Sequence, residues 1–592
     1  MAVINHEEDI LKELSLDIPR KILDKFQTLI RESGSEDEKE AFEFLAQLLD
    51  EEGIAYEMHS PKIYLSVPVK AQVHVTQPEN ITLRAKTPAF SNSTFEDEPV
   101  DNCELIYIPV SSGEVDLDSM QQLSEEQEDL VKGKVVLTEG FAMPAQVKYF
   151  EEMGAVGAVF VNPGKNIHDG ICTTIWGSPD LDNYEDEPNI VATAVNKEDG
   201  EKLIELCNQG EVTVTLETDL KKGWFECPLL DVYIEGSEEP DKYVLLHGHL
   251  DSWTYGLGDN ATGDAALMEM ARVLHNNRDK LKRSVRIAIW PGHSTGRYAG
   301  STWFADHFAI DLEENCVAQV NCDSPGCRWA TSYDSVEWTP EVTDHCQTAI
   351  RDAVGAPAKG NRPVRAGDYS FHNIGITSYY MLSSTIPDDL AEEKGYYPVG
   401  GCGGNIEWHT EDDLIHIVDE EILMNDMKVY LLSVLRNVNA NILPYDFTHT
   451  IQDHMSTLKT YQEAVDGHFS FEQIEKDAND LNNELHTFYE KIDAYSDENV
   501  DHPIVQEINN TLLQLSRELT RINFSRAGKF RHDPALDVPP LPDISPALDL
   551  KKYDENDHLY NVTLNHLVRG SNRISSVYRQ LQRLIKRIHR NI

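Results

Sequence analysis

Tyr243-Val244-Leu245-Leu246-His247-Gly248-His249-Leu250-Asp251-Ser252-Trp253 is an apolar run ending in imidazoles and a carboxylate, and Asp259-Asn260-Ala261-Thr262-Gly263 follows shortly after it. The stretch Tyr243–His247 reads as a buried strand. Leu267, Met268, Ala271 and Leu274 then recur at helical spacing, which predicts a helix from about Gly263 to Leu274. Further strand candidates are Val285–Trp290, Val317–Val320 and Thr377–Met381, each separated from the next by helical or loop sequence. This alternation predicts an α/β domain of three layers, with its functional loops beyond the C-terminal ends of the strands.

Outward from this block the texture changes on both sides. At the N-terminus, Ile18, Ile22, Leu23, Phe26, Leu29 and Ile30 predict one helix, and Phe42, Leu45, Leu48 and Leu49 a second. Ser35 with Glu38 makes a capping-box pattern for the second, and Gly53 suits its C-terminal end. From about 60 to 240 the chain has short β-rich runs broken by Pro, Gly, Asn and Asp. Within it, Lys134–Leu137, a helix from about Pro144 to Met153, and Ala155–Val161 predict a βαβ unit. Beyond about 445 the pattern is helical. Residues 561–592 carry seven Arg or Lys and no acid, with an apolar stripe of Ile574, Val577, Tyr578, Leu581, Leu584, Ile585 and Ile588. In so acidic a chain, that helix is expected to dock on the protein itself or on a second subunit rather than on a membrane.

The whole chain has 592 residues, with 102 acids against 51 Lys and Arg and a formal net charge of −51. That balance argues against nucleic acid or an anionic membrane as a main partner. A hydrophobic content of 40% and 18 Phe, 23 Tyr and 8 Trp argue against disorder. The N-terminus lacks a basic segment followed by an apolar one, and no stretch is apolar and long enough to span a bilayer. The nine cysteines show no Cys-x-x-Cys pair. Reduced thiols and a cytoplasmic location are therefore the expectation.

The chemistry concentrates where strands end. His249 and Asp251 follow the first strand, Asp259 opens the helix, and Asp323 follows Val317–Val320. Gly400-Gly401-Cys402-Gly403-Gly404 then leads into Glu407-Trp408-His409-Thr410-Glu411-Asp412. A His-x-Asp pair alone also describes a histidine satisfied inside a core. Four nitrogen and oxygen donors after strands or flexible loops of one α/β domain point instead to a borderline metal such as zinc.

The ordered set of His-x-Asp-Ser-Trp, Asp-Asn-Ala-Thr-Gly, Asn-x-Asp and Trp-His-Thr-Glu-Asp-Asp resembles the M28 family of zinc peptidases. It is most similar to the branch containing glutamate carboxypeptidase II and the transferrin receptor. The resemblance implies a discontinuous peptidase domain at 1–60 and 240–445, an inserted protease-associated domain at 61–239, and a helical dimerisation domain at 446–592. Carried over by position, Asp259 bridges two zinc ions, His249 and Asp323 complete one site, and His409 belongs to the other, with one or two ions bound. Asp251 orients His249 or tunes its basicity. Such a cluster acidifies a bound water and polarises the scissile carbonyl.

This chain departs from the family after Val285–Trp290. Where two consecutive glutamates are usual, one a general base and the next a ligand, the sequence reads Pro291-Gly292-His293-Ser294-Thr295-Gly296-Arg297. Three readings follow. His293 replaces the missing ligand; or His293 is the base and the metal sits on His249, Asp259 and Asp323; or the site is degenerate and the protein binds without cleaving. Glu407 is a further candidate for the missing carboxylate. Arg297, Arg362 and Arg365 are candidates for pairing a substrate carboxylate, and Asp368 for receiving a substrate amine. The function expected is hydrolysis of an amide bond in a peptide or small amidated compound by a homodimer, with silent binding or acyl-transfer-like metal chemistry as alternatives.

Overall fold

The computed structural model describes residues 5–94, 100–109, 125–380 and 384–592. Its centre is a six-stranded sheet in the order Tyr56–His59, Leu229–Ile234, Arg283–Trp290, Glu239–His249, Cys316–Asn321 and Ser378–Tyr379. The first pair and its junction with Arg283–Trp290 are antiparallel, and the remaining pairings are parallel. Every residue of Arg283–Trp290 is buried, as expected of a parallel strand covered on both faces. Alternate residues serve opposite layers. Val244, Leu246, Val285 and Ile287 join one core with the Thr262–Asn276 and Glu420–Asn439 helices, while Tyr243, Leu245, Ala288 and Trp290 join another with Phe304 and Leu312. That is the predicted three-layer arrangement.

Two boundaries differ from the sequence reading. Leu229–Ile234, which the expected insert range includes, belongs to the central sheet, because its apolar residues are buried beside Arg283–Trp290. The N-terminal helix ends at Phe26, and Ile30 is 43% exposed rather than on the apolar face. Of the Thr377–Met381 candidate, Ser378–Tyr379 pairs with Cys316–Asn321, and Met381 lies outside the described residues.

The Ser35 hydroxyl caps the main-chain N–H of Glu38 at 3.0 Å, while the Glu38 carboxylate accepts from the N–H of Gly34 at 2.8 Å. The reciprocal bond therefore lands one residue earlier than in a standard capping box.

A second sheet has seven strands drawn from residues 62–226, with Lys62–Gln77 and Val212–Glu226 as a long antiparallel pair. Val135–Glu139 and Gly157–Val161 are parallel neighbours connected through the Pro144–Glu152 helix, which is the predicted βαβ unit. In the C-terminal region, the His558–Ile588 helix packs against Glu472–Ile492 and buries Ile574, Val577, Tyr578, Leu581, Ile585 and Ile588. Ion pairs Arg579–Asp477 and Lys586–Glu484 flank this contact. The apolar stripe is thus covered within the chain itself. Among the described residues, no helix is long and apolar enough to cross a membrane.

Candidate metal centre

Two donors are delivered by strand ends, and the loops are held by a few buried polar groups. His249 ends Glu239–His249, and Asp323 follows Cys316–Asn321. The Asn260 side-chain amide donates to the carbonyls of His249 at 3.3 Å and Cys322 at 3.0 Å, and its oxygen accepts from the Ser324 N–H at 2.9 Å. One side chain therefore ties all three loops together. A Cβ on Gly263 would lie 2.2 Å from the Asn260 side-chain oxygen and 2.5 Å from the Cys322 carbonyl, so this position requires glycine. Asp413 accepts from the N–H groups of Gly258 at 2.7 Å and Asp259 at 3.0 Å, which aims Asp259 into the cluster.

Sequence reasoning missed Asp413 and also missed Arg31. Arg31 is fully buried and donates to the carbonyls of Leu250, Tyr255 and Gly256, so the N-terminal segment clamps the loop between His249 and Asp259. A lone arginine between helices carries no local signal for such a role.

His249 and His409 converge on opposite oxygens of Asp259. His249 Nε2 lies 3.1 Å from Oδ1, and His409 Nε2 lies 3.2 Å from Oδ2. Asp323 Oδ2 stands 3.6 Å from His249 Nε2. The far nitrogen of each ring meets a main-chain carbonyl: His249 Nδ1 reaches Asp251 O at 2.9 Å, and His409 Nδ1 reaches Asp169 O at 3.0 Å. A carbonyl oxygen only accepts, so Nδ1 carries the hydrogen and each Nε2 presents its lone pair to the cluster. His249 Nε2 and Asp259 Oδ1 are buried without a hydrogen-bond partner. Burial opposes a charge on His249, but Asp259 and Asp323 outweigh it and raise its proton affinity well above the ordinary imidazole value. Electrostatics that draw a proton to this point also favour a divalent cation. Converging lone pairs, two carboxylates and orphaned buried atoms fit a zinc-type ion.

Asp251 meets His249 through its main chain rather than its carboxylate. Its main-chain carbonyl orients His249, while its carboxylate accepts from the main-chain N–H groups of His293 at 3.0 Å and Ser294 at 2.9 Å. It therefore fixes the His293-Ser294 loop. There, the His293 ring stacks on His249 with centroids 3.7 Å apart and planes 8° from parallel. His293 Nδ1 meets the Asp368 carboxylate at 2.8 Å. One donor atom from each of His249, His293 and Asp323 lies within 4.8 Å of the others.

A cavity of about 310 Å³ opens onto this cluster between the two sheets, lined by Asp259, His293, Asp323 and His409 together with Phe141, Trp253, Tyr298 and Trp408. Arg297 lines it as well. The other predicted substrate groups do not. Arg362 donates to the carbonyls of Asn523 and Val538 and lies over the Phe524 ring, whereas Arg365 donates to Asp533 and Pro534 and lies over Trp176. Both hold the C-terminal region in place, because their long side chains turn away from the cavity toward its main-chain carbonyls. Asp368 is fully buried on His293, which excludes it as the receiver of a substrate amine. Glu407 pairs with Arg328 at 2.6 Å instead of joining the cluster.

The sequence profile described as peptidase family M28 matches residues 232–460. Among curated proteins, the chain is 29% identical over 248 residues to "Probable glutamate carboxypeptidase VP8" of Zea mays, covering 38% of this chain and 33% of that protein. It is 29% identical over 121 residues to transferrin receptor protein 1 of Gallus gallus, covering 19% of this chain and 16% of the receptor. These matches span a third or less of the relatives' own lengths. Among solved structures, the aminopeptidase from Aneurinibacillus sp. strain AM-1 superposes with a TM-score of 0.53 at 16% identity, covering 73% of this chain and 96% of that one, a likeness of fold. The peptidase family M28 profile thus matches the stretch that holds His249, Asp259, His293, Asp323 and His409, and the solved structure adds a likeness of fold.

Proposed function

We propose that this chain is a metal-dependent hydrolase of an amide bond in a peptide or small amidated compound. The observation that carries the reading is the convergence of His249 Nε2 and His409 Nε2 on the two oxygens of Asp259, with Asp323 beside them and an open cavity in front. Zinc bound by His249, Asp259, Asp323 and His409 would supply Lewis acidity toward a carbonyl and acidify a water.

His293 is the ligand that replaces the lost carboxylate. Burial works against ionisation of Asp368, yet the charge and hydrogen bond of His293 hold its carboxyl below the usual carboxylate range. The ionised Asp368 only accepts, so the hydrogen stays on His293 Nδ1, and release of the second proton to a binding cation would leave Nε2 as the donor beside His249 and Asp323. A carboxylate behind an imidazole raises its basicity as a ligand. The exchange of Glu-Glu for His-Ser removes negative charge from the cluster, which favours fewer bound cations.

Metal analysis of the purified full-length protein, with and without His293→Ala, tests this. The expected result is bound zinc in the parent and a loss of zinc with the substitution. Retained zinc with lost turnover would instead make His293 the general base. Zinc with no turnover of any amide would favour a silent binding protein, a reading supported by Ser294 at a ligand position. A protein that holds no divalent metal would sink the hydrolase reading.

A further inference from the structure

Arg297 is only 7% exposed, and its Nε is buried without a partner. Among the described residues, no ion pair or hydrogen bond engages its guanidinium; its one described contact is with the Tyr298 ring, 4.8 Å away. A buried guanidinium left unmatched is costly, and in a chain with twice as many acids as bases it is conspicuous. Its backbone is also constrained. Arg297 and Tyr298 have φ of 47° and 70°, so two successive residues without glycine's freedom are held in the left-handed region. The Arg297 carbonyl accepts from the Gly177 N–H at 2.7 Å, and the Tyr298 hydroxyl accepts from the Gly367 N–H at 2.9 Å. The β-rich segment and the loop before Asp368 thus fix this residue at the rim of the cluster, on the same loop as His293.

The other charged groups of the lining have polar partners. Lys86 pairs with Asp169 at 2.6 Å and with Glu411 at 3.3 Å. Asp368 is bound to His293, and Glu337 accepts from the Val364 N–H at 3.4 Å. The other buried, unpartnered polar atoms contributed by the lining residues outside the cluster are Trp253 Nε1, a donor, and His168 Nδ1, on a ring whose burial lowers its proton affinity. The lining thus offers a positive charge and an N–H, but no free carboxylate for an ammonium group.

Resting on the hydrolase reading, we propose that Arg297 is a specificity-determining residue that binds a carboxylate on the substrate, and that substrates bearing a free ammonium group in its place are excluded. The walls beside it, including Phe141, Met143, Trp253 and Trp408, suit an apolar or aromatic body. The net charge of −51 repels polyanions, so a single carboxylate is favoured over a doubly charged phosphate.

The test is calorimetric binding to the full-length, zinc-loaded protein, using N-benzoylglycine, its primary amide, and the cation phenylalaninamide. The acid is expected to bind about tenfold or more tightly than the amide, with no binding of the cation. Arg297→Met is expected to abolish the preference for the acid. Arg297→Lys, which keeps the charge but not the planar fork, is expected to retain part of it. Equal binding of acid and amide by the parent protein overturns the proposal without any variant. A preference that survives Arg297→Met assigns the carboxylate to the metal or to other groups and overturns it equally. The two readings fail separately: Arg297-dependent binding in a protein that cleaves no amide ends the hydrolase reading alone, while cleavage without acid preference ends this one alone.

Discussion

Three imidazoles surround the candidate centre, but they are held in two different ways. His249 and His409 each give Nδ1–H to a main-chain carbonyl, whereas His293 gives it to the buried carboxylate of Asp368. A carbonyl fixes the tautomer without adding charge. A carboxylate fixes the tautomer, strengthens the ring as a donor, and puts a second negative group behind it. The difference separates two ways of holding a candidate ligand: Asp368 places negative charge one layer behind His293, where a main-chain carbonyl places none.

The comparison is broken most severely at its carbonyl-anchored side. His249→Ala is expected to strip the centre of metal and to lower amide turnover on the order of 10³-fold or more, measured by metal content and steady-state kinetics. Next comes the loop that presents His293. Asp251→Ala leaves two buried main-chain N–H groups, those of His293 and Ser294, without their acceptor. A loss of about 2–4 kcal/mol in stability is expected in chemical denaturation, and an unchanged midpoint would contradict the anchoring role.

Asp368→Asn probes the carboxylate-backed ring directly. Zinc affinity is expected to fall by about 10- to 100-fold with the fold intact, and unaltered affinity would show that the carboxylate adds nothing beyond a carbonyl.

The smallest effect concerns the segment that anchors His409. Burial, then repulsion from Asp169, lifts the Glu32 carboxyl to about 7. Because its folded value is raised, stability is fully present below the unfolded value near 4.5 and is lost as pH rises toward 7. Glu32→Gln is therefore expected to be more stable than the parent at pH 8 by about 1–2 kcal/mol, allowing for the group's residual exposure, and indistinguishable near pH 4. A stabilisation that is the same at both pH values would remove ionisation as its cause.

The arginines show where local sequence stops being informative. Arg297, Arg362 and Arg365 are equivalent as candidates when read along the chain, since each offers a planar guanidinium for a substrate carboxylate. Tertiary packing separates them: Arg362 and Arg365 bind carbonyls of the C-terminal region, and only Arg297 keeps an unmatched guanidinium in the cavity. The same holds for Asp368. Its spacing permits a substrate contact, but its partner His293 lies 75 positions away and is identifiable only in the fold. Arg31 and Asp413 support the centre through main-chain groups, and a bond to a backbone carbonyl or N–H leaves no signature in residue type.

What the sequence by itself determined is the α/β alternation, the βαβ unit and the apolar stripe of the C-terminal helix, and it supplied the candidate donors. Each of these follows from short-range periodicity or from residue chemistry placed beside a strand. The tertiary structure alone decided which nitrogen of each histidine faces the cluster, which acids back them, and which arginine remains available. Those properties depend on the acceptor that long-range packing brings to each side chain, and an acceptor distant along the chain is set by the fold as a whole.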